Sequence, residues 1–185
     1  MIDLLGGNRR HYFLFNAMNP HTRVVPVGPP LFDLQSDEFR RWYLGSVFVD
    51  EHLEPVPLWH GTFREFSEFD PRAEHERCIG GVGTYLSSVR GVAEAYGSIL
   101  LEVYVRMRRP MVETHYTGGE KILHVSQAEA DRLTAERFDG VVSADDPCTA
   151  EEIVVFDPAQ IRIYRRWRTE PVSALHALCD ALAVP

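Results

Sequence analysis

The apolar residues of this chain fall mostly into short runs of strand length, with a few stretches at helical spacing. The clearest run is Ile99-Leu100-Leu101-Glu102-Val103-Tyr104-Val105, seven residues interrupted by one charge. A strand covered on both faces reads as a continuous apolar segment, so this run predicts a central strand, ended by Arg108-Arg109-Pro110. Shorter runs predict strands at Val56 to Thr62, Thr84 to Ser87, Gly140 to Ser143, Ile153 to Phe156 and Gln160 to Trp167. His11-Tyr12-Phe13-Leu14-Phe15-Asn16 is a further strand candidate. Ser36 and Asp37 open a predicted helix to about Val49, with Phe39, Trp42, Tyr43 and Val47 on one face. Ser88 is placed to cap a helix from Val89 to Tyr96. Ser126-Gln127-Ala128-Glu129 has the form of a capping box and opens a helix to about Phe138. Val172 to Leu182 predicts a last helix. Pro20, Pro26, Gly28, Pro29 and Pro30 mark a loop, and Phe63 to Gly83 is irregular and mixed in charge.

Strands outnumber helices and arrive in runs instead of strict strand–helix alternation. That implies an α+β protein with a mixed or antiparallel core. A length of 185 residues fits a single domain, 1–185.

Composition narrows the function classes. Apolar residues make up 45% and charged residues 25%, the balance of a globular chain. The 19 basic and 27 acidic residues give a net charge of −8, which disfavours generic nucleic-acid binding because phosphate affinity depends on clustered Lys and Arg. Arg165, Arg166 and Arg168 beside Trp167 are read as an exposed strand edge. Cys78, Cys148 and Cys179 are scattered without a C-x-x-C pair, which points to a reducing compartment. Residues 1–7 lack the basic start and long apolar core of a secretion signal, and no run approaches the length of a membrane span. The expectation is a cytoplasmic protein, or one delivered into the cytoplasm of a target cell. His75 and Cys78 stand three apart with no second pair, so no metal is expected. Gly80-Gly81-Val82-Gly83 lacks the preceding strand of a dinucleotide-binding turn. Walker, G-x-S-x-G and H-E-x-x-H patterns are absent.

Two tracts carry the candidate chemistry. The first is Leu58-Trp59-His60-Gly61-Thr62 followed by Gly83-Thr84-Tyr85-Leu86-Ser87. The second is Glu151-Glu152-Ile153-Val154-Val155-Phe156-Asp157-Pro158-Ala159-Gln160-Ile161-Arg162. In order, His60, Tyr85 and Glu152 each stand at or beside a predicted strand, and Tyr96 follows Tyr85 by eleven positions. This arrangement resembles the His-Tyr-Glu branch of the ADP-ribosyltransferases, which includes diphtheria toxin and the poly(ADP-ribose) polymerases. The resemblance covers roughly residues 56 to 167. It implies two small, mostly antiparallel sheets around an NAD cleft with flanking helices. Residues 56–167 would then be the catalytic core, 1–50 an N-terminal elaboration packed on it, and 171–185 a C-terminal helix.

The implied reaction breaks the nicotinamide–ribose bond of NAD. The leaving group is already cationic, so the site must hold it, stabilise positive charge developing on the ribose, and place an acceptor on the opposite face. By resemblance, Glu152 hydrogen-bonds the ribose 2′-hydroxyl and stabilises that cation. Strand alternation sends its neighbour Glu151 to the opposite face. Tyr85 and Tyr96 are expected to clamp the pyridinium by stacking and cation–π attraction. Ala93 stands where some relatives carry a Ser that contacts the carboxamide, so it is expected to line the site without that contact. His60 is expected to hold the adenosine ribose, Gly61 to read the carboxamide through its backbone, and Thr62 to support the strand end. Arg64, Arg72 and Arg77 are candidates for the pyrophosphate, whose geometry a guanidinium matches. NAD is thus a substrate. The acceptor is expected to be a macromolecule, protein before nucleic acid. A chain rich in Ala and Arg suggests a bacterial or phage toxin, effector or defence enzyme, with an antitoxin or immunity protein as a further partner. An NAD glycohydrolase of the same fold, a non-catalytic NAD or ADP-ribose binder and an RNA 2′-phosphotransferase are the alternatives; the Tyr-rich series does not favour the last.

Overall fold

A computed structural model describes residues 22–70, 81–113 and 124–171. The strand candidate at residues 11–16 and the helix at 172–182 lie outside the described residues. Among the described residues, eight strands form two four-stranded sheets. The first contains β1 (Thr22–Val27), β8 (Ile161–Pro171), β4 (Ile99–Val105) and β2 (Leu58–Thr62), in that spatial order and antiparallel throughout. The second contains β3 (Thr84–Leu86), β7 (Ile153–Val155), β6 (Gly140–Val142) and β5 (Pro110–Val112), with only the β5–β6 pair parallel. Among the described residues, three short α-helices flank them: α1 (Asp37–Tyr43), α2 (Arg90–Glu94) and α3 (Gln127–Ala135). The architecture is α+β, as the sequence pattern implies.

The sheets pack face to face because their strands present apolar residues inward at period two. Leu58, Leu101, Val103 and Val105 of the first sheet share one buried cluster with Leu86, Ile153, Val155 and Val142 of the second. The opposite face of the second sheet is covered by α3, where Ala130 and Leu133 bury Val141, Val154 and Val125. Ser126 caps α3 by accepting the Glu129 N–H at 3.2 Å, the predicted role. Phe39 and Tyr43 of α1 stack at 5.3 Å and set their rings edge-on to Tyr104.

Several expected boundaries move, each for a local reason. The helix α1 ends at Tyr43, short of Val49, because Gly45 takes φ +82° and turns the chain. Val47 therefore lies beyond the helix, and its N–H donates to Met107 O at 2.8 Å. Residues 22–27, read as part of a proline-marked loop, form the edge strand β1, which tolerates Pro26 because it pairs on one side only. A short parallel strand, β5, follows where Pro110 was taken as an end. Ser88 does not cap α2: its hydroxyl donates to Ala150 O, and Ser87 Oγ accepts the Val89 N–H. In β8 the register against β4 shifts between Glu102 and Val103, leaving Tyr164 as the extra residue of a bulge.

Candidate active site

The two sheets meet at one isolated backbone pair. Trp59 N–H donates to Ser87 O at 2.8 Å, and Ser87 N–H donates to Trp59 O at 2.9 Å. Beyond this pair β2 and β3 separate. Backbone polar groups of alternate strand residues point to the same edge. The N–H and C=O of Trp59 point to β3, so those of Gly61, two residues on, point into the gap that opens beside Tyr85.

The rim of that gap is tied by His60. Its Nδ1 lies 2.8 Å from Tyr85 O. A carbonyl only accepts, so Nδ1 carries the proton of this bond. The imidazole is edge-on to Phe69 at 5.1 Å and to Phe66 at 6.0 Å, and those two rings lie 5.0 Å apart. Arg166 Nη2 donates to Phe66 O at 3.2 Å, and Arg168 pairs with Glu65. The segment after β2 is irregular and mixed in charge in the sequence. Over residues 63–70 it is anchored by two phenylalanines on the core and by two arginines of β8.

Tyr85 pairs with Val154 of β7, and its hydroxyl accepts the Val125 N–H at 3.5 Å. Glu152 directly precedes β7. Its N–H donates to Ser143 Oγ at 3.1 Å and its carbonyl accepts the Ser143 N–H at 3.0 Å, which fixes the strand start. Extending the β3–β7 register by one residue sets Glu152 opposite Ser87, the residue paired with Trp59. The chain segments bearing His60, Tyr85 and Glu152 thus meet at the Trp59–Ser87 pair. Alternation puts Glu152 on the face of β7 shared with Val154 and Tyr85, and Glu151, which is exposed, on the other.

Gly61 is required by the packing of α2. A Cβ there would collide with the Ala93 carbonyl oxygen and lie 3.0 Å from Tyr96 Cβ. A Cβ at Gly97 would collide with the Thr62 backbone in the same way. The missing side chain at Gly61, read from sequence as room for a ligand, admits the helix; the edge it presents to the gap is backbone. The tight approach puts Ala93 and the half-exposed Tyr96, 47% accessible, directly against β2. Thr62 Oγ1 accepts the Arg64 N–H at 3.1 Å and turns the chain out of the strand. Arg64 is exposed, and Arg72 and Arg77 lie outside the described residues.

Sequence reasoning missed Phe66, Phe69, Ser87 and Ser143. The three-residue spacing of Phe63, Phe66 and Phe69 was the available signal for the first two. No sequence pattern marks a serine whose hydroxyl or main chain binds the backbone of a neighbouring strand. Among the described residues, no helix is long and apolar enough to cross a membrane.

Residues 50–165, a span holding His60, Tyr85, Tyr96 and Glu152, match the sequence model of a family described as ADP-ribosyltransferase in polyvalent proteins. A search of curated proteins returns no match.

Proposed function

The chain belongs to the ADP-ribosyltransferase family of polyvalent proteins, and from that premise we propose an enzyme of the His-Tyr-Glu type that transfers a single ADP-ribose from NAD to a macromolecular acceptor. The observation that carries this reading is the meeting of the His60, Tyr85 and Glu152 segments at the Trp59–Ser87 pair. In this proposal the Gly61 N–H and C=O pair with the carboxamide of nicotinamide. Tyr85 and Tyr96 hold the pyridinium between them. His60, its ring oriented by the Nδ1–H bond to Tyr85 O, holds a ribose hydroxyl. Glu152 stabilises the positive charge that develops on the ribose as the glycosidic bond breaks. No general acid is needed, since nicotinamide leaves as a neutral base. Positioning and a fixed carboxylate do the catalytic work.

The acceptor proposed is protein before nucleic acid, because a net charge of −8 opposes a polyanion. A bacterial or phage toxin, effector or defence enzyme, acting in a cytoplasm and held in check by an antitoxin or immunity protein, is the setting proposed; the Ala- and Arg-rich composition supports it. Incubation with NAD labelled on the adenylate and a cell lysate tests the reading. Label on a protein band, with nicotinamide released in equal amount, is the expected result. Free ADP-ribose with no labelled macromolecule would make the protein a glycohydrolase. Binding without nicotinamide release would make it a non-catalytic module.

A further inference from the structure

We propose that Arg90 is a positioning residue for the nicotinamide site: packed against both Trp59 and Trp167, it sets helix α2 on strand β2 and thereby places Tyr96. The inference rests on the reading above only in what it says Tyr96 binds.

The helix α2 spans five residues, Arg90–Glu94, and its N-cap, Val89, makes no side-chain capping bond. A helix this short does not hold itself, because nucleation fixes several residues for one hydrogen bond. Its position must come from tertiary contacts, and two sets are present. One is the close approach of Ala93, Tyr96 and Gly97 to Gly61 and Thr62. The other is Arg90. Its guanidinium carbon lies 5.2 Å from the Trp59 ring centroid and 5.1 Å from that of Trp167. Its Nε donates to Glu94 Oε1 at 2.9 Å, one turn along α2.

The two indoles are themselves fixed. Trp59 exchanges both backbone bonds with Ser87. Trp167 Nε1 donates to Glu102 Oε2 at 2.9 Å, and Glu102 faces Trp59 across the β2–β4 pair. Trp59 and Gly61 lie on one face of β2 by alternation. Arg90 over Trp59, Ala93 over Gly61 and Gly97 against Thr62 therefore describe a helix running along β2 in the strand's own direction. Arg90 clamps the first residue, and Tyr96 follows at the far end, where its Cβ approaches Gly61. The two indole centroids lie 6.3 Å apart with the rings tilted by 57°, and the planar guanidinium packs over both rings, which an ammonium does less well.

Three variants in the full chain test this: Arg90→Ala, Arg90→Lys and Tyr96→Ala, with the Arg90→Ala/Tyr96→Ala double. Two readouts are used. Amide hydrogen exchange of residues 90–97 in the free protein needs no NAD. The dissociation constant for a non-cleavable NAD analogue reports the site. Arg90→Ala should accelerate exchange across 90–97 at least tenfold, with β4 unchanged, and weaken the analogue about tenfold. Arg90→Lys, which keeps the charge beside Glu94, should fall between wild type and Arg90→Ala in both. In the Tyr96→Ala background the same Arg90→Ala change should cost the analogue little more. Unchanged exchange in Arg90→Ala overturns the inference, whatever the activity. Full additivity with Tyr96→Ala overturns the route through Tyr96. A wild type that binds no analogue overturns the NAD reading instead, and exchange alone then decides whether Arg90 holds α2. If Arg90→Ala fails to fold, Arg90→Lys carries the same tests, and wild-type exchange and affinity in that variant overturn the inference.

Discussion

His60 in β2 and Tyr85 in β3 are joined by a hydrogen bond from His60 Nδ1 to the Tyr85 carbonyl, 2.8 Å long. Each residue belongs to a different sheet, so the bond ties the two sheets at the rim of the gap between them. It also fixes the orientation of the imidazole, with Nδ1 as the donor.

That division of labour separates two substitutions. His60→Asn can keep a donor toward Tyr85 O while losing the Nε2 side of the ring; His60→Ala loses both. Thermal unfolding should show His60→Ala less stable than His60→Asn by about 0.5–1.5 kcal/mol, the net worth of one hydrogen bond. Titration with a non-cleavable NAD analogue should show both variants weakened. An Asn variant that binds like wild type would remove His60 Nε2 from the site.

Glycine has opposite meanings at two nearby positions. A Cβ at Gly61 collides with the Ala93 backbone, whereas a Cβ at Gly91 meets nothing within 4 Å. Gly61→Ala should therefore cost about 1–3 kcal/mol in denaturant unfolding, as overpacking does. Gly91→Ala, inside α2, should stabilise by roughly 0.5–1 kcal/mol through helix propensity. Equal effects at the two sites would mean that α2 does not rest on Gly61 as described.

The strands were legible where burial on both faces makes a continuous apolar run. The central strand matches its predicted span, Ile99–Val105, residue for residue. Elements held by neighbours instead of by their own pattern were not legible. The strand β1 carries Pro26 and lies in a proline-marked stretch, and it exists because β8 extends to Pro171 to pair with it. The strand β5 is three residues long and leans on β6. At the site, His60, Tyr85 and Glu152 stood out by type and order. Their supports, Ser87 and Ser143, act through hydroxyl and main-chain bonds to backbone groups distant in the sequence or set by strand pairing, which a sequence does not display. The space that Gly61 leaves open goes to helix α2.

Tyr85 offers a ring and a hydroxyl to different neighbours. The hydroxyl's contact with the Val125 N–H is long, 3.5 Å, and contributes little. Tyr85→Phe should bind the NAD analogue nearly as wild type does. Tyr85→Ala should lose affinity through the ring, aromatic contacts contributing roughly 0.5–1.5 kcal/mol beyond buried area. Calorimetric titration of both decides. Equal losses would assign the role to the hydroxyl.

Cys148 provides a pH test of the described structure. Its thiol donates to Val49 O at 3.3 Å, and burial, with Asp146 and Asp50 nearby, pushes its pKa above the ordinary thiol value. A raised pKa means less thiolate at a given pH, so alkylation is slow near neutrality and accelerates only at higher pH. With Cys78→Ser and Cys179→Ser in place, the rate of iodoacetamide modification should reach half its maximum above about pH 8.5, the free-thiol reference. A midpoint below that would contradict the half-buried setting between Val49 and Asp146.

The most direct measurement compares Glu152→Gln with Glu151→Gln in single-turnover cleavage of labelled NAD, with binding of the non-cleavable analogue measured in parallel. Glutamine keeps size and hydrogen bonding but removes the charge. A fixed electrostatic contact to a developing cation is worth about 10²–10³ in rate. Glu152→Gln should lose about that much while binding the analogue within a few fold of wild type, and Glu151→Gln, on the opposite face, should stay close to wild type. Cleavage that survives in Glu152→Gln, or that fails in Glu151→Gln instead, would contradict the account.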